Sequence, residues 1–258
     1  MPASRREKEP RDTEETWLPE PRRLLAELFG TFALTAVAAG ADVAAQVSGG
    51  EVGSAARAVA PGLLVLALVY ALGDTSGAHF NPAVTVAFTT RRLFPVPWLF
   101  AYVLVQVVGA LLAAFALVVL FPASAAEGVS KPHVDAPIAL AVEVFLSTVL
   151  VTVILGTADR HRIVGPNAAI AVGATIALCG LIALPLTGVS MNPARSIGPA
   201  VVLGRLDDLW IYVFGPILGA LLAVGLATAL HGPMPRDPEQ VEAATGKPPR
   251  GGSDRPER

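Results

Sequence analysis

Six long apolar stretches constrain the fold of this chain of 258 residues more than any other feature. A helix needs about 20 mostly apolar residues to cross the hydrocarbon core of a bilayer. Charged residues make up only 16% of the chain, against about 25% in an average soluble domain. The sequence therefore predicts an all-α membrane protein with six transmembrane helices. The six stretches are Leu24–Ala45, Ala55–Leu72, Val96–Phe121, Pro137–Thr157, Ala168–Leu186 and Leu209–Leu230.

The ends of the chain and the distribution of Lys and Arg predict its orientation. Residues 1–21 and 232–258 are rich in Pro, Gly and charge, so we expect two disordered tails around a membrane domain at residues 22–231. Lys and Arg collect on the cytoplasmic side of membrane proteins. All but four of the 19 lie on the side of the two termini, so both termini are predicted to be cytoplasmic. The four exceptions are Arg57, Lys131, Arg195 and Arg205.

The two halves of the membrane domain repeat the same motifs in the same order. Residues 22–121 form the first repeat and residues 137–231 the second, and each holds three of the long stretches. Because three is odd, the second repeat must be inverted in the membrane, and inverted repeats place a functional site at their interface near the midplane. The matched segments are Glu27–Thr31 with Glu143–Ser147, Ser76–Thr85 with Thr187–Ser196, and Gly109–Ala114 with Gly219–Val224.

An Asn-Pro-Ala motif begins a short apolar run in each repeat. Asn is among the best N-cap residues and Pro is favoured at the first helical position, so each motif predicts the start of a helix too short to cross the membrane. Two inverted half-helices that meet at the midplane direct both positive dipole ends at one point. Such a point binds neutral oxygen acceptors and repels cations and protons. The motifs are Asn81-Pro82-Ala83 and Asn192-Pro193-Ala194.

These paired motifs, within an inverted repeat of six spans, resemble the aquaporin or major intrinsic protein family over about residues 22–231. The resemblance implies that Asn81 and Asn192 are the paired asparagines of the pore midplane and that Arg195 belongs to the outer constriction. It implies that Glu27 and Glu143 brace the re-entrant loops, although intramembrane carboxylates also mark proton relays. Family members are usually homotetramers in the lipid bilayer, with one pore per subunit.

The family's outer selectivity filter has four positions, which the resemblance assigns to Pro61, Gly180, Val189 and Arg195. Water-selective members usually have Phe and His at the first two. Their loss predicts a wider filter that passes larger neutral solutes. The run from Ser190 to Ala200, with Tyr212-Val213, resembles the nodulin-like intrinsic proteins and their bacterial relatives. That group implies glycerol or neutral metalloid hydroxides, such as arsenous or boric acid, as solutes. We expect a bacterial plasma membrane as the location.

The other residues favour no competing class of protein. We expect His79 to line the cytoplasmic vestibule, and Asp42, near the end of a span, to reach the lipid headgroups. A net charge of -2 indicates no nucleic-acid partner, and the single cysteine, Cys179, excludes a disulfide framework. We predict no enzyme activity, cofactor or metal site, because the sequence has no catalytic triad, ligand cluster or phosphate loop. A strictly water-selective channel and an ion-coupled secondary transporter remain the alternatives.

Overall fold

A computed structural model describes residues 18–158, 167–232 and 238–246, and these residues form a bundle of α-helices. Residues Ala125–Gly128 form a short 3₁₀ helix. The α-helices are α1 (Pro21–Val47), α2 (Ser54–Ser76), α3 (Pro82–Thr90), α4 (Val96–Leu120), α5 (Ala136–Thr157), α6 (Ala168–Thr187), α7 (Pro193–Val202), α8 (Leu209–His231) and α9 (Pro238–Thr245).

Six of these helices, namely α1, α2, α4, α5, α6 and α8, are long and apolar enough to cross a membrane. Each contains one of the predicted stretches or matches it to within a residue. Large apolar side chains cover their outer surfaces, with Phe100 71% exposed and Phe145 66% exposed. Since soluble proteins rarely expose large continuous apolar surfaces, these faces suit contact with lipid. The predicted fold class, six spans with two re-entrant half-helices, is confirmed.

The two half-helices begin where the Asn-Pro-Ala motifs predict. The Asn81 side chain caps α3 by accepting a hydrogen bond from the Ala83 N–H, and Asn192 caps α7 in the same way. α3 has 9 residues and α7 has 10, which at 1.5 Å per residue gives about 14–15 Å. This length is about half of the hydrocarbon core.

The inverted repeat is visible in matched helix crossings. α1 packs on α4 in the first repeat, and α5 packs on α8 in the second. A Cβ added at Gly109 would lie 2.4 Å from the Leu28 carbonyl oxygen, and one added at Gly219 would lie 2.4 Å from that of Val144. The matched glycines therefore allow the same close backbone approach in both repeats. Each half-helix also packs on the last helix of the other repeat, which brings the two Asn-Pro-Ala motifs together.

The carboxyl-terminal tail differs from the expectation of disorder. Residues 1–17, 233–237 and 247–258 lie outside the described residues, but Pro238–Thr245 form α9. Ala244 is fully buried, and with Val241 it packs against an apolar cluster that includes Phe88 and Trp98. The prediction of a disordered tail is therefore wrong for residues 238–246. That prediction rested on the Pro, Gly and charge content of the whole tail. A short segment that packs through Val241 and Ala244 does not stand out in such an average.

Candidate functional site

The Glu27 carboxylate, buried in α1, holds the loop that leads into the first half-helix. Its Oε1 accepts hydrogen bonds from the Ser76 hydroxyl at 2.8 Å and the His79 backbone N–H at 2.9 Å. Its Oε2 accepts from the Phe80 N–H and from the Gln106 side-chain amide, both at 2.8 Å. Four donors thus surround one carboxylate, which satisfies an ionised acid that would be costly to bury alone.

Glu143 forms the equivalent set of contacts in the second repeat. Its Oε1 accepts from the Thr187 hydroxyl at 2.8 Å and the Ser190 N–H at 3.0 Å, and its Oε2 accepts from the Met191 N–H at 2.9 Å. A fourth donor like Gln106 has no counterpart, because Pro216 stands at the matching position of α8. In both repeats the carboxylate binds backbone groups of the re-entrant loop, which is the geometry that the bracing hypothesis requires.

These loops contain residues with positive φ angles, and hydrogen bonds to the carboxylates help to stabilise this conformation. Ala78, Phe80, Val189 and Met191 have φ between 47° and 52°. L-residues seldom adopt this left-handed region, and such residues persist only where their surroundings hold them. Phe80 and Met191 each donate their N–H to a buried carboxylate oxygen. The turn also directs their carbonyl groups towards the opposite half-helix.

The two asparagines bind the opposite loops in a reciprocal pair. Asn81 Nδ2 donates to the Met191 carbonyl at 2.8 Å, and Asn192 Nδ2 donates to the Phe80 carbonyl at 2.8 Å. Each Oδ1 accepts from the first turn of its own half-helix. Since an amide nitrogen has two hydrogens, each side chain keeps one N–H beyond these contacts, and both asparagines border the same cavity.

Two tyrosines complete the loop supports, a role that the sequence did not indicate for either of them. The Tyr102 hydroxyl donates to the Ser76 carbonyl at 2.9 Å, and the Tyr212 hydroxyl donates to the Thr187 carbonyl at 2.7 Å. Both side chains are almost fully buried. The repeat contained the signal, because each tyrosine stands seven residues before the glycine of the matched Gly-Ala-Leu-Leu-Ala segment.

A narrow cavity joins the asparagine pair to all four expected filter positions. Pro61, Gly180, Val189 and Arg195 line it together. Its volume is about 80 Å³, and one water molecule needs roughly 10–15 Å³ on the same scale. The cavity therefore has room for a file of several small molecules. A larger cavity of about 300 Å³ lies beside α9. Four residues line both cavities, namely Ala78, Val84, Ile154 and Val172.

Packing between helices explains the glycine at the second filter position. A Cβ added at Gly180 would lie 2.6 Å from the Ala58 carbonyl oxygen of α2. A side chain there would force the backbones of α2 and α6 apart. The α2–α6 crossing therefore requires a residue without a side chain at position 180, whatever the effect of the absent imidazole on the width of the filter.

Arg195 is held at the end of the cavity opposite α9 by two groups that the sequence did not indicate. Its guanidinium donates to the Ser130 hydroxyl, which also contacts Ser196, and lies 3.8 Å from Asp42 Oδ2. Asp42 is 9% exposed and forms an ion pair with Arg57. The expectation that Asp42 reaches lipid headgroups is therefore wrong, since its carboxylate faces two arginines at the mouth of the cavity.

His79 also borders the cavity, on the side of the asparagine pair that faces away from Arg195. Its Nδ1 is 3.1 Å from the Thr85 hydroxyl and its Nε2 is 3.0 Å from the Ala244 carbonyl of α9. Its ring stacks on Phe88 at 4.8 Å. The side chain is 4% exposed. The carboxyl-terminal helix therefore directly contacts a buried residue that borders the cavity. Within the described residues, no group of three or more His, Cys, Asp or Glu side chains is arranged to hold a metal ion.

Comparison of the sequence with known proteins points to one family. The model of the major intrinsic protein family matches residues 15–226. Aquaporin NIP1-1 of Zea mays is 42% identical over 207 residues, which cover 78% of this chain and 71% of the relative. The putative aquaporin NIP4-1 of Arabidopsis thaliana is 40% identical over 201 residues, with the same coverage.

A solved structure supports the fold independently. The X-ray structure of the aquaglyceroporin from Plasmodium falciparum superimposes with a TM-score of 0.72 at 22% identity, covering 80% of this chain and 94% of that chain. At this identity the likeness concerns the fold alone. The relatives from maize and Arabidopsis are plant proteins, so they do not support the expectation of a bacterial plasma membrane.

Proposed function

The chain belongs to the major intrinsic protein family of membrane channels. We propose that it passes water, glycerol-sized neutral solutes and neutral metalloid hydroxides, and that it excludes protons and ions. One observation carries the proposal: the reciprocal asparagine pair and the four filter positions border one cavity. No filter position supplies the aromatic ring or imidazole that the resemblance associates with water selectivity.

The proposed mechanism of exclusion is electrostatic. Asn81 and Asn192 cap two helices whose N-terminal ends face each other, so positive dipole ends converge where a solute passes. A water or hydroxyl oxygen accepts a hydrogen bond from an asparagine N–H there, whereas a cation is repelled. Arg195 adds a full positive charge at the mouth.

An ion-coupled transporter that moves protons through Glu27 or Glu143 would need these carboxylates to face the pathway. Glu27 and Glu143 are fully buried, and both oxygens of each accept hydrogen bonds from loop or helix donors. Neither carboxylate borders the narrow cavity. This arrangement favours a passive channel over proton relay.

A strictly water-selective channel is the second candidate, and a specific observation favours it. Asp42 and Arg57 border the same cavity as Pro61 and Gly180, so charged side chains occupy part of the mouth that the smaller filter residues leave open. We further propose a homotetramer with cytoplasmic termini, on the basis of the family's usual assembly and the distribution of Lys and Arg.

The decisive experiment is stopped-flow light scattering of proteoliposomes with water, glycerol, urea and arsenous acid. We expect water, glycerol and arsenous acid to cross faster than in empty liposomes. Ala38→Phe, which places a ring in the cavity, should reduce all three fluxes. Leu104→Phe is the matched control and should change none, because Leu104 is 64% exposed and does not line the cavity. Fast water with exclusion of all larger solutes would establish the water-selective candidate, and steady proton current in a planar bilayer would establish the transporter.

A further inference from the structure

An ion pair lies beside the mouth of the narrow cavity, between α1 and α2. Arg57 Nε is 2.7 Å from Asp42 Oδ1, and a terminal guanidinium nitrogen of Arg57 is 2.6 Å from the same oxygen. The other carboxylate oxygen, Oδ2, is 3.8 Å from the Arg195 guanidinium. One carboxylate is therefore shared between the arginine of the expected filter and a second arginine.

The positions of both partners place the pair one turn outside the constriction. Asp42 follows Ala38 by four residues on α1, and Arg57 precedes Pro61 by four residues on α2, so each lies one turn from a cavity-lining residue on the same helix face. All four residues border the cavity together with Arg195. A solute that approaches the filter passes both guanidinium groups.

Charge and burial indicate what this mouth binds. The Asp42 side chain is only 10% exposed, whereas that of Arg57 is 30% exposed. A guanidinium group has five N–H donors and no acceptor, and Asp42 engages two of the three nitrogens of Arg57. The remaining donors belong to a residue that borders the cavity. Two arginines and one aspartate also leave one net positive charge, which opposes cation entry.

We propose that Arg57, oriented by Asp42, is a specificity-determining residue of the channel that works with Arg195 to select neutral solutes with several hydroxyl oxygens. The inference deepens the proposed function and rests on it. A polyhydroxylated solute can accept hydrogen bonds from both guanidinium groups at once, through different oxygens. Asp42 is a positioning residue, since it fixes the Arg57 fork and faces Arg195 through its second oxygen.

The test compares glycerol and water flux in proteoliposomes of wild type and Arg57→Leu, which removes the donors and part of the bulk. We expect the glycerol-to-water flux ratio to fall about three- to tenfold, the factor that corresponds to one net hydrogen bond. A purely steric role predicts the opposite sign, because a shorter side chain widens the mouth and favours the larger solute. Arg205→Leu is the matched control, since Arg205 is an exposed arginine on the same side and does not line the cavity.

A second variant protects the test against misfolding. Arg57→Lys keeps the charge and a partner for Asp42 but lacks the planar fork, so we expect a smaller fall in the same ratio. A ratio that is unchanged or raised in the folded variants overturns the inference. Absence of glycerol flux in wild type is a separate result, which overturns the proposed solute range instead.

Discussion

Replacement of Glu143 separates the two roles that a carboxylate inside the membrane can have. Glu143→Gln keeps the shape and one oxygen but carries no charge and exchanges no proton at neutral pH. Glu143→Ala removes every acceptor. A brace for the second re-entrant loop should tolerate the first change better than the second, whereas a proton relay should lose its function in both.

The hydrogen bonds set the expected magnitudes. In the Gln variant the remaining oxygen can stand in place of Oε1, which keeps the contacts with Thr187 and Ser190 and leaves the Met191 N–H without an acceptor. A bond to a charged group is worth about 1.5–3 kcal/mol, so we expect the free energy of unfolding to fall by that amount. The Ala variant leaves the N–H groups of Ser190 and Met191 unpaired, at about 1–3 kcal/mol each, and also loses the Thr187 contact and packing.

Two measurements test this reasoning together. Thermal unfolding in detergent should rank wild type above Glu143→Gln and Glu143→Ala last, while Glu51→Gln, at an exposed position, should match wild type. Stopped-flow flux, normalised to folded protein, should be close to wild type for Glu143→Gln. A well-folded Gln variant without flux would show that the carboxylate takes part in transport. An Ala variant as stable as wild type would refute the bracing role.

Three further changes test other parts of the structure. Gly180→Ala should lower the free energy of unfolding by about 1–3 kcal/mol, because the added Cβ meets a backbone oxygen. Gly156→Ala, with open space around the glycine, should raise it by about 0.5–1 kcal/mol. Equal shifts of the two variants in thermal unfolding would contradict the packing argument. Arg195→Val should increase proton and cation leak in vesicles loaded with a pH-sensitive dye, and an unchanged leak contradicts its role in exclusion. Ala244→Asp should release α9 from its buried site, so limited proteolysis should cut the carboxyl-terminal segment faster than in a Glu242→Ala control; an unchanged digestion pattern contradicts docking.

Properties of short segments could be predicted from the sequence alone. A span is recognised because about 20 apolar residues must lie together, and all six were found to within a few residues at each end. The starts of α3 and α7 were found because an N-cap is a contact within one turn, between Asn81 or Asn192 and a residue two positions later. The inverted repeat then required the two half-helices to oppose each other.

Contacts between helices far apart in the chain were decided only by the tertiary structure. The sequence did not indicate that Gly180 faces a carbonyl of α2, that Asp42 turns inward to two arginines, or that Ala244 docks beside His79. Each of these depends on how closely and at what angle two helices cross, which no local pattern specifies. The sequence of a short polar tail is the same whether the tail meets water or protein, and that of a charged residue near a span end is the same whether it meets lipid headgroups or protein. Only the neighbours that the fold packs against them determine their surroundings.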